Sequence, residues 1–65
     1  MEEVLKDIYG RKVGVIKNEN GKMYIYDVLG RRLGYYDGTY TYNIQGRRIG
    51  YGNFLVLFIK DEIQL

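Results

Sequence analysis

Three aspartates are the side chains of this sequence best suited to acid–base or metal chemistry: Asp7, Asp27 and Asp37. A carboxylate acts as a general acid or base, or binds a hard cation. The usual companions of such chemistry are absent, because the 65-residue chain contains no His, Cys or Ser. Ser–His and Cys–His nucleophile pairs are therefore excluded. The sequence predicts that the protein is not an enzyme, with no catalytic residues, no metal site and no cofactor.

Tyrosines and arginines carry the other chemistry that the composition offers. Tyrosine rings stack on other rings, and guanidinium groups contact phosphates. We predict an interaction face made of Tyr24, Tyr26, Tyr36, Tyr40, Tyr42, Arg32 and Arg48. Its predicted partner is a protein or a small ligand. Nucleic acid is the alternative, favoured by eight cations against three anions in residues 8–59 and opposed by a net charge of only +2.

A motif that occurs three times positions these side chains. Residues 6–14 (KDIYGRKVG), 26–34 (YDVLGRRLG) and 42–50 (YNIQGRRIG) align without gaps. Each copy contains Asp/Asn-x-x-Gly, in which the first residue starts a type I turn and the glycine adopts a left-handed conformation. Asp7 and Asp27 are thereby explained as turn residues. We predict an all-β antiparallel meander of about six short strands in one domain, residues 1–65, with hairpin repeats at 4–17, 22–36 and 39–52.

The three-residue loop of this turn predicts which residues face each other. The predicted pairs are Asp27–Arg31, Tyr26–Arg32, Ile25–Leu33 and Tyr24–Gly34 in the second copy, and Asn43–Arg47, Tyr42–Arg48, Thr41–Ile49 and Tyr40–Gly50 in the third. A tyrosine would then cover the second glycine of each copy, and the second arginine would lie against a tyrosine ring. The first copy differs, with Val4 opposite Gly14 and Lys6 opposite Lys12, and is predicted to be an edge or capping unit.

The connection between the second and third copies allows two turns. One is a two-residue type I′ turn at Asp37 and Gly38. The other is a three-residue loop, which pairs Tyr36 with Tyr40 and places Tyr35 with the aliphatic residues on the opposite face. Because a shift of one residue moves every side chain to the other face, only one turn can form. We predict the three-residue loop, since it keeps the aliphatic side chains together.

Residues 53–65 form an apolar tail. Its central stretch, FLVLFI at 54–59, lacks alternation, which predicts a segment buried on all sides. The β-branched and aromatic content favours a strand, and the alternative is a short helix capped by Asn53 that continues to Ile63. Because an exposed run of this kind would aggregate, we predict that a symmetric partner covers it. The predicted oligomer contacts are Phe54, Leu55, Val56, Leu57, Phe58 and Ile59.

The size of the chain also favours self-association. A domain of this length buries only about 60% of the surface of its unfolded chain. Disulfides and a zinc site are excluded by composition, so we predict a homo-oligomer. No stretch reaches the roughly 18 apolar residues of a membrane span. The acidic start of the sequence also lacks the basic and apolar parts of a signal peptide, and we expect a cytoplasmic protein with no membrane partner.

The repeated motif resembles two known families. The string YDVLGRRL at 26–33 resembles the YD repeats of Rhs-type proteins, which are large β shells whose function does not carry over. The chain as a whole is more similar to small bacterial proteins of the four-fold β-flower type. Those proteins string together Asp-x-x-Gly-Arg/Lys-x-aliphatic-Gly hairpins, as residues 7–14, 27–34 and 43–50 do here. This resemblance implies a bacterial protein with symmetric, four-fold assembly of β-meanders, and no catalytic or binding residues to transfer.

The sequence therefore predicts a homo-oligomeric module that is structural, or that binds a protein or a small ligand, and that performs no catalysis. The alternative is a nucleic-acid-binding protein that uses the tyrosine and arginine face.

Overall fold

A computed structural model describes residues 2–59 of the chain. These residues form one six-stranded sheet, in which each strand pairs antiparallel with the next along the sequence. The strands are β1 (Glu2–Lys6), β2 (Lys12–Glu19), β3 (Lys22–Asp27), β4 (Arg32–Tyr36), β5 (Tyr40–Asn43) and β6 (Arg48–Tyr51). The prediction of an all-β antiparallel meander of six short strands is confirmed.

The Asp/Asn-x-x-Gly turns form as predicted. In the second copy the Gly30 N–H donates to the Asp27 carbonyl over 3.0 Å, and the φ angle of Gly30 is 85°. The Asp27 Oδ1 atom closes the loop, because it accepts hydrogen bonds of 2.9 Å from the N–H groups of Leu29 and Arg31. The same bonds recur in the first and third copies. An acceptor side chain and a glycine three residues later are thus sufficient to specify each reversal.

A β-bulge follows each of these turns, and the sequence pattern does not predict it. Tyr26 pairs with Arg32 as predicted, but the next pair is Ile25 with Gly34, so that Leu33 has no partner of its own. The first and third hairpins show the same register shift. One extra residue moves all later pairs by one position. The predicted pairs that are therefore wrong are Ile25–Leu33, Tyr24–Gly34, Thr41–Ile49, Tyr40–Gly50 and Val4–Gly14.

The connection between β4 and β5 matches neither predicted turn. Tyr35 pairs with Tyr42, and the Asp37 N–H donates to the Tyr40 carbonyl over 3.2 Å, so the chain reverses at the two residues in between. The Asp37 Oδ1 atom accepts hydrogen bonds of 2.8 Å from the N–H groups of Thr39 and Tyr40. The side chain of Asp37 therefore holds the turn later than predicted, and the three-residue loop is wrong.

The second glycine of each copy lies beneath the C-terminal segment, residues 53–59. On the side where each glycine would carry a side chain, the nearest side-chain atoms belong to Ile59 at Gly14, to Phe58 at Gly34 and to Phe54 at Gly50. The prediction that tyrosines from the facing strand cover these glycines is therefore wrong. Each glycine thus leaves space for one larger side chain of the segment.

The core lies between this face of the sheet and the C-terminal segment. Its buried members are Ile16, Ile25, Leu55 and Ile59. Thr41 is also fully buried on this face. Its Oγ1 atom donates to the Gly52 carbonyl and accepts a 2.9 Å hydrogen bond from the Phe54 N–H, so the segment is tied to β5.

The C-terminal segment turns helically where the sequence analysis favours a strand. The Leu57 N–H donates to the Phe54 carbonyl over 3.0 Å, and the next two residues continue this pattern. Asn53 Oδ1 accepts a 3.1 Å bond from the Leu55 N–H, which is the predicted capping role. The predicted strand is thus wrong for these residues, whereas the predicted continuation to Ile63 lies outside the described range. Burial on all sides is also wrong, because the exposed side chains are Phe54, Val56 and Leu57.

Candidate functional site

Three tyrosines form a ladder across the middle of the sheet, on the face opposite to the core. The strand register pairs Tyr24 with Tyr35 and Tyr35 with Tyr42. The rings of Tyr35 and Tyr42 stack, with centroids 4.8 Å apart and 15° between their planes. The rings of Tyr24 and Tyr35 are tilted by 42° at 5.9 Å. Contacts of this kind between facing strands stabilise the sheet and join the rings into one surface.

Two arginines each cover a tyrosine ring on this face. The guanidinium carbon of Arg32 lies 4.2 Å from the Tyr24 ring centroid, and that of Arg48 lies 4.0 Å from the Tyr40 centroid. The predicted contact between the second arginine and a tyrosine is confirmed for the second and third copies. Arg32 also donates to the Tyr26 hydroxyl over 3.2 Å, and this bond raises the pKa of Arg32. The ring faces thus hold fixed positive charge.

A second aromatic pair and two lysines extend the surface. Tyr40 meets Tyr51 edge to face, with centroids 5.5 Å apart. The Lys17 ammonium lies 5.2 Å from the Tyr26 centroid, and the Lys22 ammonium lies 5.4 Å from that of Tyr35. We define the tyrosine–arginine face as Tyr24, Tyr26, Tyr35, Tyr40, Tyr42, Tyr51, Arg32 and Arg48.

Six of the seven residues that the sequence predicts for an interaction face lie on the tyrosine–arginine face. The exception is Tyr36, which packs against the core on the opposite side, so its predicted place is wrong. The reason is the β-bulge at Leu33, which pairs Tyr35 with Tyr24 and so brings Tyr35 onto the face instead. Tyr51 is also missed, although it is 76% exposed. The signal that could have found Tyr35 and Tyr51 is their shared position, directly after the second glycine of a copy.

Asp37 connects the edge of the face to the β4–β5 turn. Its Oδ2 atom accepts a 3.1 Å hydrogen bond from the Tyr42 hydroxyl, while Oδ1 holds the turn. The N–H groups of Tyr40 and Thr39, followed by the Tyr42 hydroxyl, lower the pKa of Asp37. Burial and the Asp37 carboxylate raise the pKa of Tyr42. At neutral pH the Asp37 carboxyl group is consequently ionised and the Tyr42 phenol is neutral.

The remaining two aspartates are occupied by their own turns. The N–H of Arg31 lowers the pKa of Asp27, and the Arg31 Nε atom adds an ion pair at 2.8 Å. Asp7 is held in the same way, with a pKa lowered chiefly by the N–H of Arg11 and an ion pair at 2.9 Å. With lowered pKa values and with their oxygens occupied by these partners, the two carboxylates are weak proton acceptors at neutral pH. Within residues 2–59, no group of three or more His, Cys, Asp or Glu side chains could hold a metal ion.

The predicted oligomer contact divides into two sets. Leu55 and Ile59 belong to the core of their own chain, and Phe58 packs against that core. The outward set is Phe54, Val56 and Leu57, which are 38%, 53% and 49% exposed. A second copy can contact the outward set without disturbing the first chain, whereas the inner set is accessible only when the segment detaches.

An open cavity adjoins the core side of the sheet. It has a volume of about 300 Å³ and is lined by Glu2, Glu3, Ile16, Asn18 and Met23. Residues 53–59 thus leave part of Met23 uncovered. The cavity offers an apolar floor with two carboxylates at its border.

Comparison with models of protein families finds no match, and no curated protein or solved structure matches the chain either. The resemblance to four-fold β-flower proteins and to YD repeats therefore stays a prediction. Among the described residues there is no helix with the length and apolar character that crossing a bilayer requires.

Proposed function

We propose that this protein is a homo-oligomeric β-sheet module, structural or binding another protein or a small ligand, and that it performs no catalysis. The observation that carries the proposal is the two-sided apolar segment at 54–59. Its inner side chains complete the core, and its outer side chains, Val56 and Leu57, lie half exposed beside each other in sequence. Exposed apolar neighbours of this kind mark contact surfaces.

The small core supports the same proposal. The buried hydrophobic side chains among residues 2–59 are Val15, Ile16, Ile25, Leu55 and Ile59. A chain of 65 residues with so few buried side chains, and with neither disulfide nor zinc ligands, gains most from association. The four-fold symmetry that we favour rests on the β-flower resemblance alone.

The turn carboxylates support the absence of catalysis. Asp7 and Asp27 accept bonds from backbone N–H groups and an arginine, and Asp37 accepts bonds from two N–H groups and a phenol. Each lowered pKa keeps the carboxylate ionised. A group that is ionised and fully bonded has little capacity to transfer a proton.

Native mass spectrometry with sedimentation equilibrium tests the proposal. We expect the wild type to form a multimer of the 7.7 kDa chain and Leu57→Glu to dissociate it, because the new charge would be buried at the contact. Ile44→Glu is the matched control, since Ile44 is exposed in a turn and should leave the multimer intact. A wild-type protein that stays monomeric at all concentrations would refute self-association.

Nucleic-acid binding by the tyrosine–arginine face is the second candidate function. It is favoured by Tyr51, whose ring is exposed beside Tyr40 and thus close to Arg48. Aromatic rings next to guanidinium groups bind single strands with strong salt dependence. The fluorescence anisotropy of a labelled oligothymidylate should then rise when the wild-type protein is added. This rise should be smaller with the Tyr51→Ala variant and at higher salt concentration. Tyr9→Ala, an exposed tyrosine outside the face, is the control. Absence of binding at low salt eliminates this candidate.

A further inference from the structure

The three Asp/Asn-x-x-Gly turns lie at one end of the sheet and expose apolar side chains there. In this meander the β1–β2, β3–β4 and β5–β6 connections share an end, two strand spacings or about 10 Å apart. Ile8 is 80% exposed, Leu29 is 74% exposed and Ile44 is 61% exposed, although these are aliphatic residues. We define the turn-tip rim as Ile8, Tyr9, Val28, Leu29 and Ile44. None of these side chains belongs to the core described above.

The same end of the sheet is rich in cations. Its charged residues in the described range are Lys6, Arg11, Lys12, Arg31, Arg32, Arg47 and Arg48 against Asp7 and Asp27. Arg11 and Arg31 pair with the two aspartates, yet their side chains remain 70% and 71% exposed. At the opposite end the balance reverses, with Glu2, Glu3, Glu19 and Asp37 against Lys17 and Lys22. The sheet is therefore electrically polar along its strands.

We propose that the turn-tip rim docks on the surface of an anionic phospholipid bilayer. Exposed apolar side chains beside a cluster of cations fit such a surface, because the apolar side chains can enter the boundary between headgroups and acyl chains while the cations contact lipid anions. Tyr9 suits the interface, and the Arg11 guanidinium lies 5.3 Å from its ring centroid. The contact requires no spanning segment, so it replaces the sequence-based expectation of no membrane partner. It is independent of self-association.

Charge and shape favour a bilayer over other occupants. A second copy facing this rim with its own rim would bring two cationic ends together, which is repulsive. A nucleic acid would satisfy the arginines, but the aliphatic side chains of Ile8, Leu29 and Ile44 would stay in water. An anionic bilayer is the partner that uses both features at the same time.

Co-sedimentation with vesicles tests the proposal on the full chain. We expect binding to phosphatidylcholine vesicles that contain about 30% phosphatidylserine, little binding to phosphatidylcholine alone, and weakening as salt rises above about 0.1 M. Arg47→Gln should weaken binding about fivefold. Lys22→Gln removes the same charge at the opposite end and should change it little. Leu29→Gln and Ile44→Gln should weaken binding, and both positions are exposed enough to leave folding intact.

A single tryptophan reports insertion directly, because the chain contains none. Leu29→Trp should show a blue-shifted emission on the anionic vesicles, whereas Thr39→Trp, in an exposed turn at the other end, should not. Failure to bind anionic vesicles at low salt would overturn the proposal. So would binding that depends on Arg47 but not on Leu29, since that result describes a general polyanion binder. Equal shifts for Leu29→Trp and Thr39→Trp would also overturn it.

Discussion

Phe58 occupies the space directly beside Gly34. A Cβ atom on Gly34 would lie 2.7 Å from the Phe58 ring and 2.5 Å from the Tyr42 carbonyl oxygen. The second contact involves the backbone of the neighbouring strand, which cannot withdraw without disturbing the β4–β5 ladder. Gly34 is therefore required by two neighbours, one of which is fixed.

Gly34→Ala should lower the free energy of unfolding by about 2 kcal/mol or more, because the added methyl group overpacks a fixed backbone. Gly50→Ala is the matched comparison. Its Cβ would meet only the ring of Phe54, at 2.8 Å, and that ring is partly exposed rather than part of the backbone. The cost there should stay below about 1 kcal/mol. Urea unfolding of both variants measures the difference, and equal costs would contradict the assigned contacts.

Thr41→Val should destabilise the protein by about 2 kcal/mol, although valine has nearly the same shape. The substitution leaves the Phe54 N–H and the Gly52 carbonyl without their partner in a partly buried place, and valine cannot replace either hydrogen bond. Thr41→Ser keeps the hydroxyl and should recover part of the loss. Thr39→Val, at an exposed turn position, should be nearly neutral, and thermal unfolding compares the three.

The contact between Arg48 and Tyr40 should show a coupling of about 0.5–1 kcal/mol in a double-mutant cycle of Arg48→Gln and Tyr40→Leu. The reason is the guanidinium position, 4.0 Å from the ring centroid. Arg47→Gln in the same cycle should show no coupling to Tyr40, since Arg47 makes no described contact with that ring. A coupling of zero for Arg48 would mean that the arrangement adds nothing to stability.

Acid should destabilise the fold through its turn aspartates. The folded state lowers the pKa of Asp7, Asp27 and Asp37 below the ordinary value of 3.8. Their contribution is thus complete above that value and is lost as the pH falls through the lower pKa of the folded state. Between about pH 5 and pH 2 the wild type should lose stability more steeply than a variant with all three changed to Asn. The urea concentration at the unfolding midpoint, measured for both proteins across this pH range, tests the prediction. The same dependence on pH in both proteins would contradict it.

The local turn chemistry of this fold is readable in the sequence, but its register is not. Asp27 and Gly30 specify their turn because both act within four residues of each other. The bulge at Leu33 accompanies the packing of this side chain against the core, and no residue type near it predicts a bulge. The same bulge places Tyr35 opposite Tyr24 and Tyr36 opposite Met23, so these two tyrosines lie on the faces opposite to those predicted.

The C-terminal segment eluded prediction because its role is tertiary. Composition favours a strand for residues 54–59, yet Asn53 caps a helical turn, and Phe54, Phe58 and Ile59 each pack against one glycine of the sheet. The sequence shows the regular spacing of Gly14, Gly34 and Gly50. Only the fold shows which side chains occupy the space beside each of them. The tyrosine–arginine contacts were predictable because they arise between neighbouring strands on the exposed face.

The tie between Thr41 and residues 52–54 has a consequence for the order of biosynthesis. The ribosome synthesises every hairpin of the sheet before it synthesises the residues that cover Ile16 and Ile25. The apolar side of the sheet therefore stays exposed to water until Leu55 and Ile59 have packed against Ile16 and Ile25. A chain that ends before Phe54 would contain the six strands β1–β6 but would lack the C-terminal segment that covers their apolar face.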